Sequence, residues 1–190
     1  MKEKRQKIIE ESIGLFSEQG YEGTTMKQIA GAAGVSFGSI FTYFENKEEL
    51  FHCAVVEPLE DYSKQILNFN PEAQDTLDEL KRMVTNQISL FARFGTYLNL
   101  VVQVISHHHR FEKTFEELDA FHDSFRAKLV KLIETGQRKE LLYHQDPLFI
   151  ATSYTSLLMG LRVNLTEEPD SDVWEKFAPF AMQLFGPKPN

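Results

Sequence analysis

The sequence predicts an all-α chain, and three observations carry that expectation. Apolar residues recur at i, i+3, i+4 and i+7 in segment after segment, the period of a helix with one buried face. Strand-like alternation is sustained nowhere. Glycine and proline are scarce, at 10 and 7 of 190 residues. That length allows one or two domains with a core of useful size. Cys53 stands alone, which rules out an intramolecular disulfide and suits a reducing compartment. The charged opening, residues 1–6, leads into an amphipathic helix rather than a signal peptide, and the apolar runs are too short to span a bilayer. A cytoplasmic protein with no membrane contact is expected.

Taken in order, the first helix runs from about Glu3 to Gln19, with Ile9, Ile13 and Phe16 on its stripe and Gly20 ending it. Two short helices follow, Thr25 to Ala33 and Phe37 to Phe44, with Thr24 and Ser36 as expected N-caps. Met26, Ile29, Ala30 and Ala33 form the buried face of the former. Ile40 and Phe44 form that of the latter, and Gly34 supplies the positive φ of the sharp turn between them. Phe37, Gly38, Ser39, Phe41, Thr42 and Tyr43 point away from that core or across its edge. Two helices joined this way make a helix-turn-helix, which offers its second helix to the DNA major groove.

The stretch resembles the TetR family of bacterial transcriptional regulators. The resemblance lies in Thr24-Thr25, Ile29-Ala30, Ala33 to Ser36, Gly38, Phe41, Phe44 and Asn46 to Phe51, preceded by Phe16, Gly20 and Tyr21. It covers about the first quarter of the chain. It implies a DNA-binding domain over residues 1–46 and a helical ligand-binding and dimerisation domain over 47–190.

Roles at the DNA follow from side-chain chemistry, and the resemblance adds weight to them. Thr25 opens a helix whose amides suit a phosphate, and Lys27 one turn on can meet a phosphate or a guanine edge. Phe37 can rest on a thymine methyl, Gly38 lets the backbone approach, and Ser39 can bond a base edge. Tyr43 and Lys47 are placed for backbone phosphates, and Lys2, Lys4, Arg5 and Lys7 either reach phosphates or form an ordinary solvated terminus. Relatives commonly carry tyrosine where this chain has Phe41, so one phosphate-binding hydroxyl is gone, and DNA shape is expected to supply part of the specificity. Charge runs against this reading. The net charge is −8, whereas nucleic-acid binders are usually basic. The motif outweighs composition, but few phosphate contacts are expected per protomer.

Beyond residue 46 the pattern continues as a long helix capped by Asn46 with Glu49, carrying Pro58, which deletes one backbone hydrogen bond and is expected to kink it. Residues 68–71 break it. Helices are expected over Thr76 to Phe94, Tyr97 to Ser106 (buried on all sides), Thr114 to Glu140 with a weak turn at Gly136, Pro147 to Leu165, and Asp172 to Phe185 interrupted by Pro179. Sixteen phenylalanines fill a core or line an apolar cavity. The cavity reading leans on the resemblance and names Tyr62, Gln87, Phe91, Phe94, Tyr97, Val101, Ile105, Phe121, Phe125, Tyr154 and Leu158, around a small hydrophobic or aromatic ligand. The resemblance also implies a homodimer through the last two helices, with Leu157, Leu161, Trp174, Phe177, Ala181 and Leu184 at the interface.

His107-His108-His109 invites a metal, but consecutive residues on a helix fan out by about 100° and do not converge on one ion. Cys53 shows no cationic neighbour in sequence or resolving thiol. No catalytic group, metal or cofactor is expected. The reading is therefore a ligand-responsive homodimeric repressor on a double-stranded DNA operator. Its rivals are a helical dimer acting by protein contact and a metal-dependent enzyme using the histidine tract.

Overall fold

The computed structural model describes residues 2–189. Met1 and Asn190, the outer ends of the two expected domains, lie outside the described residues. Helices α1 (Lys2–Gly23), α2 (Met26–Ala32), α3 (Phe37–Ile40), α4 (Lys47–Ile66), α5 (Thr76–Ala92), α6 (Gly95–Ser106), α7 (Glu112–Arg138), α8 (Pro147–Asn164), α9 (Val173–Lys176) and α10 (Ala178–Gln183) follow in order. The only β pairing among the described residues is the isolated bridge Leu142–Pro187. Two compact units form: Met1–Tyr62 with Thr96–Asp119, and Ser63–Gly95 with Ala120–Asn190. The first unit thus extends well past residue 46 and includes most of α4 and α6.

In the first unit α1 presents Ile8, Ile9 and Phe16 to the core, and Ile13 is half-buried. Gly20, at φ 72 and ψ 168, breaks the helix as its position predicts, and a last turn runs to Gly23. The break orphans backbone groups, and tertiary partners satisfy them. Gln103 of α6 donates from Nε2 to Phe16 O at 2.9 Å and accepts Tyr21 N–H at 2.9 Å. The hydroxyl of Thr24, fully buried, donates to Leu15 O and Gly20 O. Thr24 therefore closes α1, and the N-cap of α2 is Thr25 rather than Thr24. Phe16, Tyr21, Phe51 and Phe111 make an aromatic cluster with ring centroids 4.8–5.1 Å apart along Phe16–Phe51, Tyr21–Phe51, Tyr21–Phe111 and Phe51–Phe111.

Asn46 accepts Glu49 N–H as a cap should, but Glu49 reaches back to Glu45 N–H, one residue before the expected partner. Pro58 lies inside α4. On α6, Tyr97, Leu98, Leu100, Val101 and Val104 are buried, whereas Val102 and Ile105 are exposed. The helix is amphipathic, and not buried on all sides.

The second unit packs α5 against α8, α9 and α10. Its centre is polar at one point. Gln87, buried, donates to Ile66 O at 2.7 Å and accepts the Tyr154 hydroxyl at 2.8 Å. Gly136 is not a weak turn but a clearance, because a Cβ there would sit 2.6 Å from Leu142 Cδ1. The last helix is interrupted near Pro179, as expected, and forms two short helices. Pro179 has no N–H for the Glu175 carbonyl, so α9 stops at Lys176 and α10 begins after Phe177.

Both amide side chains lend themselves to test. Gln87→Leu removes the partners of a buried hydroxyl and a buried carbonyl, and an expected loss of about 2–4 kcal/mol follows. Urea unfolding at fixed protomer concentration measures it. In the first unit, Gln103→Leu strands Phe16 O and Tyr21 N–H. A loss of about 1–3 kcal/mol is expected, with the amides of residues 16–24 exchanging hydrogen faster. Unchanged unfolding midpoints would contradict both accounts.

Candidate nucleic-acid interface

The interface is built by three local devices. Thr25 and Gln28 form a reciprocal capping box: Thr25 Oγ1 accepts Gln28 N–H, and Gln28 Oε1 accepts Thr25 N–H at 2.8 Å. Gly34, at φ 68, carries a Schellman turn in which Val35 N–H reaches Ala30 O at 2.9 Å and Gly34 N–H reaches Gly31 O at 3.2 Å. Ser36 then caps α3 by accepting Ser39 N–H. Ile29, Ala30, Ala33, Ile40 and Phe44 are all buried, which locks both short helices to the core.

The α-helical part of α3 is shorter than expected. It ends at Ile40, and the chain continues to Phe44 in tight turns, Thr42 N–H to Ser39 O and Tyr43 N–H to Ile40 O. Phe37 and Phe41 stand out at 53% and 44% exposed, with Gly38, Ser39 and Thr42 exposed beside them and Tyr43 half-buried. The two rings meet edge to face at 5.3 Å. Lys27 and Thr25 are exposed on α2. The structure thus brings Thr25, Lys27, Ser36, Phe37, Gly38, Ser39, Phe41, Thr42 and Tyr43 into one short segment of the first unit.

Lys47 is turned inward. Its ammonium donates to Tyr21 O at 2.8 Å and Thr24 O at 3.0 Å, and sits 4.2 Å from the Tyr21 ring centroid. Arg5 is also engaged, forming a two-pronged pair with Glu57 and lying 5.1 Å over Phe44. The hydrogen bond from Arg5 holds the Glu57 carboxyl below the usual carboxylate range. Lys2, Lys4 and Lys7 stay exposed. Sequence reasoning missed both inward cations, because their partners lie 23 to 52 residues away.

Cys53 has a cationic neighbour after all, Arg5 Nη2 at 3.7 Å, yet burial pushes its thiol up to about 11. It is protonated and unreactive at neutral pH. His107 and His108 face different backbone carbonyls, Gln103 O and Ile105 O, and the His108 ring makes tilted contacts with those of His109 and Phe115. Among the described residues no three histidine, cysteine or carboxylate side chains gather as a metal site.

The residues expected around a ligand fall in both units. In the first, Tyr97 donates to Val55 O at 2.8 Å with its phenol shifted upward by burial, Tyr62 meets its ring edge to face at 4.8 Å, Val101 is buried, and Ile105 is exposed. In the second, Gln87, Phe91, Phe94, Phe125, Tyr154 and Leu158 are buried, and Phe121 is half-buried beside Phe125. Of the expected interface set, Trp174 and Ala181 lie in the protomer's own core, and Leu157, Leu161, Phe177 and Leu184 are half-buried.

Residues 8–54 match the family model described as bacterial regulatory proteins, tetR family. The biofilm operon icaADBC HTH-type negative transcriptional regulator IcaR of Staphylococcus epidermidis is 29% identical over 147 residues, which is 77% of this chain and 72% of that protein. A bacterial regulatory protein in the tetR family from Rhodococcus RHA1 has the same fold, with a TM-score of 0.82 over 98% of both chains at 19% identity. AibR in complex with isovaleryl coenzyme A and operator DNA has a TM-score of 0.77, covering 97% of this chain and 100% of that one at 21% identity. No single helix among the described residues is long and apolar enough to cross a membrane. The matched segment is the one that carries the capped, Schellman-closed pair of helices, and so residues 8–54 are a DNA-binding segment of the tetR family of bacterial regulatory proteins.

Proposed function

We propose that the chain is a homodimeric cytoplasmic repressor that grips its operator through α2 and α3 and leaves it when a small hydrophobic or aromatic molecule binds. The observation that carries the reading is the two-sidedness of α3. Ile40 and Phe44 anchor it, and Phe37, Gly38, Ser39, Phe41 and Thr42 are presented outward from a capped start. The DNA-binding function is assigned to residues 1–46. Ligand binding and dimerisation are assigned to 47–190, with α4 as the element shared by both.

A dimer answers a geometric need, since one short helix contacts too few bases for useful specificity. Its surface is supplied by α8 and α10. Phe149 is 74% exposed and Phe180 71%, and Val163 is also exposed. Leu157, Leu161, Phe177 and Leu184 extend that apolar surface, with Trp174 and Ala181 supporting it from inside the protomer. Ligand binding draws support from AibR, which shares the fold and was solved with both isovaleryl coenzyme A and operator DNA. Here the ligand-side residues are the aromatics of α5, α7 and α8 together with Tyr62 and Tyr97. No catalytic group is assigned.

Sedimentation and gel-shift measurements on the full chain test this. A dimer is expected, binding selected promoter fragments in preference to random duplex. Phe180→Asp is expected to shift it toward monomer and to weaken operator binding at least tenfold. Lys27→Ala is expected to reduce the slope of log affinity against log salt by about 1 per protomer. A strictly monomeric chain, or one with no preference among promoter fragments at low ionic strength, would overturn the proposal.

A further inference from the structure

The outward face of α3 is almost devoid of hydrogen-bonding reach. Between residues 36 and 44 there is no Arg, Lys, Asn, Gln, Asp or Glu, the side chains that pair two-pronged with guanine or adenine or accept from cytosine. The hydroxyls of Ser36 and Ser39 lie 2.6 Å apart and bond each other, and Ser36 also takes Ser39 N–H. On α2, Gln28 is engaged by Thr25 and Gln19. Lys47 is held by two backbone carbonyls. Apart from the hydroxyls of Thr42 and Tyr43, what remains at the tip is carbon, the rings of Phe37 and Phe41.

The B-DNA major groove offers one apolar feature to match, the C5-methyl group of thymine. We infer that Phe37 and Phe41 form an apolar reader of thymine methyls, so that the operator is selected by where its thymines stand rather than by bidentate hydrogen bonds. The inference rests on the proposed entry of α3 into a major groove, and it names the chemistry that the groove must present. Ring centroids 5.3 Å apart fall between one and two base-pair steps of 3.4 Å, so each half-site carries thymines one or two steps apart. Edge-to-face contact between the rings restricts both before DNA arrives, and little side-chain freedom is lost on docking. The methyl also tells T·A from A·T, which shape alone does poorly. Continuity with the capped turn of Gly34 and Ser36 favours DNA over a protein as the occupant of this face.

The test replaces thymine by deoxyuridine, which removes one methyl and leaves every base-pair hydrogen bond in place. The full-length chain first enriches a site from a random duplex library, and that site is rebuilt with one substitution at a time. One or two positions per half-site are expected at which affinity falls about three- to fivefold for each methyl removed, placed symmetrically in the two halves. In the Phe37→Ala, Phe41→Ala double variant the penalty at those positions is expected to fall below 1.5-fold, while circular dichroism and the unfolding midpoint stay near wild type because both rings are exposed. A full set of deoxyuridine substitutions with no penalty overturns the methyl reading and leaves the DNA-binding proposal standing. A penalty that persists undiminished in the double variant overturns it as well. A chain that enriches no sequence and binds no duplex at low salt overturns both.

Discussion

A helix of four residues has no stability of its own, since nucleation in water is unfavourable until several turns have formed. The presence of α3 therefore depends on what holds it from outside. Ser36 fixes its first turn, the Schellman closure at Gly34 sets its direction, and the burial of Ile40 and Phe44 pins its inner side. Remove any of these and the tip bearing Phe37 and Phe41 has no defined orientation. The same logic reaches α1, whose break at Gly20 is tolerable because Gln103 and Thr24 satisfy the backbone groups it frees. The unit that presents α3 is thus closed by α6 as well as by its own three helices.

The acidic balance of the chain looks less paradoxical once the cations are placed. Arg5 and Lys47 serve the fold, one clamped to Glu57 over Phe44 and the other on the carbonyls of Tyr21 and Thr24. Lys27 and the lysines of the first turns stay exposed, and the proposed operator contact assigns them to phosphates. Affinity built on so few charges rises less steeply as salt falls than it does in basic DNA-binding domains. Discrimination then has to come from surface that is not charged, and that shifts attention to the two phenylalanines.

In the second unit, polar and apolar demands are reconciled at Gln87. A lone tyrosine hydroxyl in an aromatic core would be destabilising. Tyr154 is accommodated because Gln87 accepts from it while donating to Ile66 O. At the surface of α8 and α10 no such compensation occurs, and Phe149 and Phe180 remain in solvent within the protomer. Large exposed apolar side chains of this kind are what the proposed dimer surface covers.

The sequence by itself determined the all-helical class, the helix-turn-helix, the turn at Gly34, the caps at Ser36 and Asn46, and the stripes that Ile29, Ile40 and Phe44 bury. These are local properties, set by periodicity and by hydrogen bonds spanning three to five residues. Only the tertiary structure decided that Thr24 closes α1 while Thr25 caps α2, and that Ile105 faces solvent. It likewise decided where the long polar side chains go. Arg5, Lys47 and Gln103 can each reach several partners, and the choice among them is made by groups 23 to 87 residues distant along the chain. A flexible side chain with a strong donor goes wherever folding leaves an unpaired acceptor, and no pattern in the neighbouring residues records where that acceptor lies.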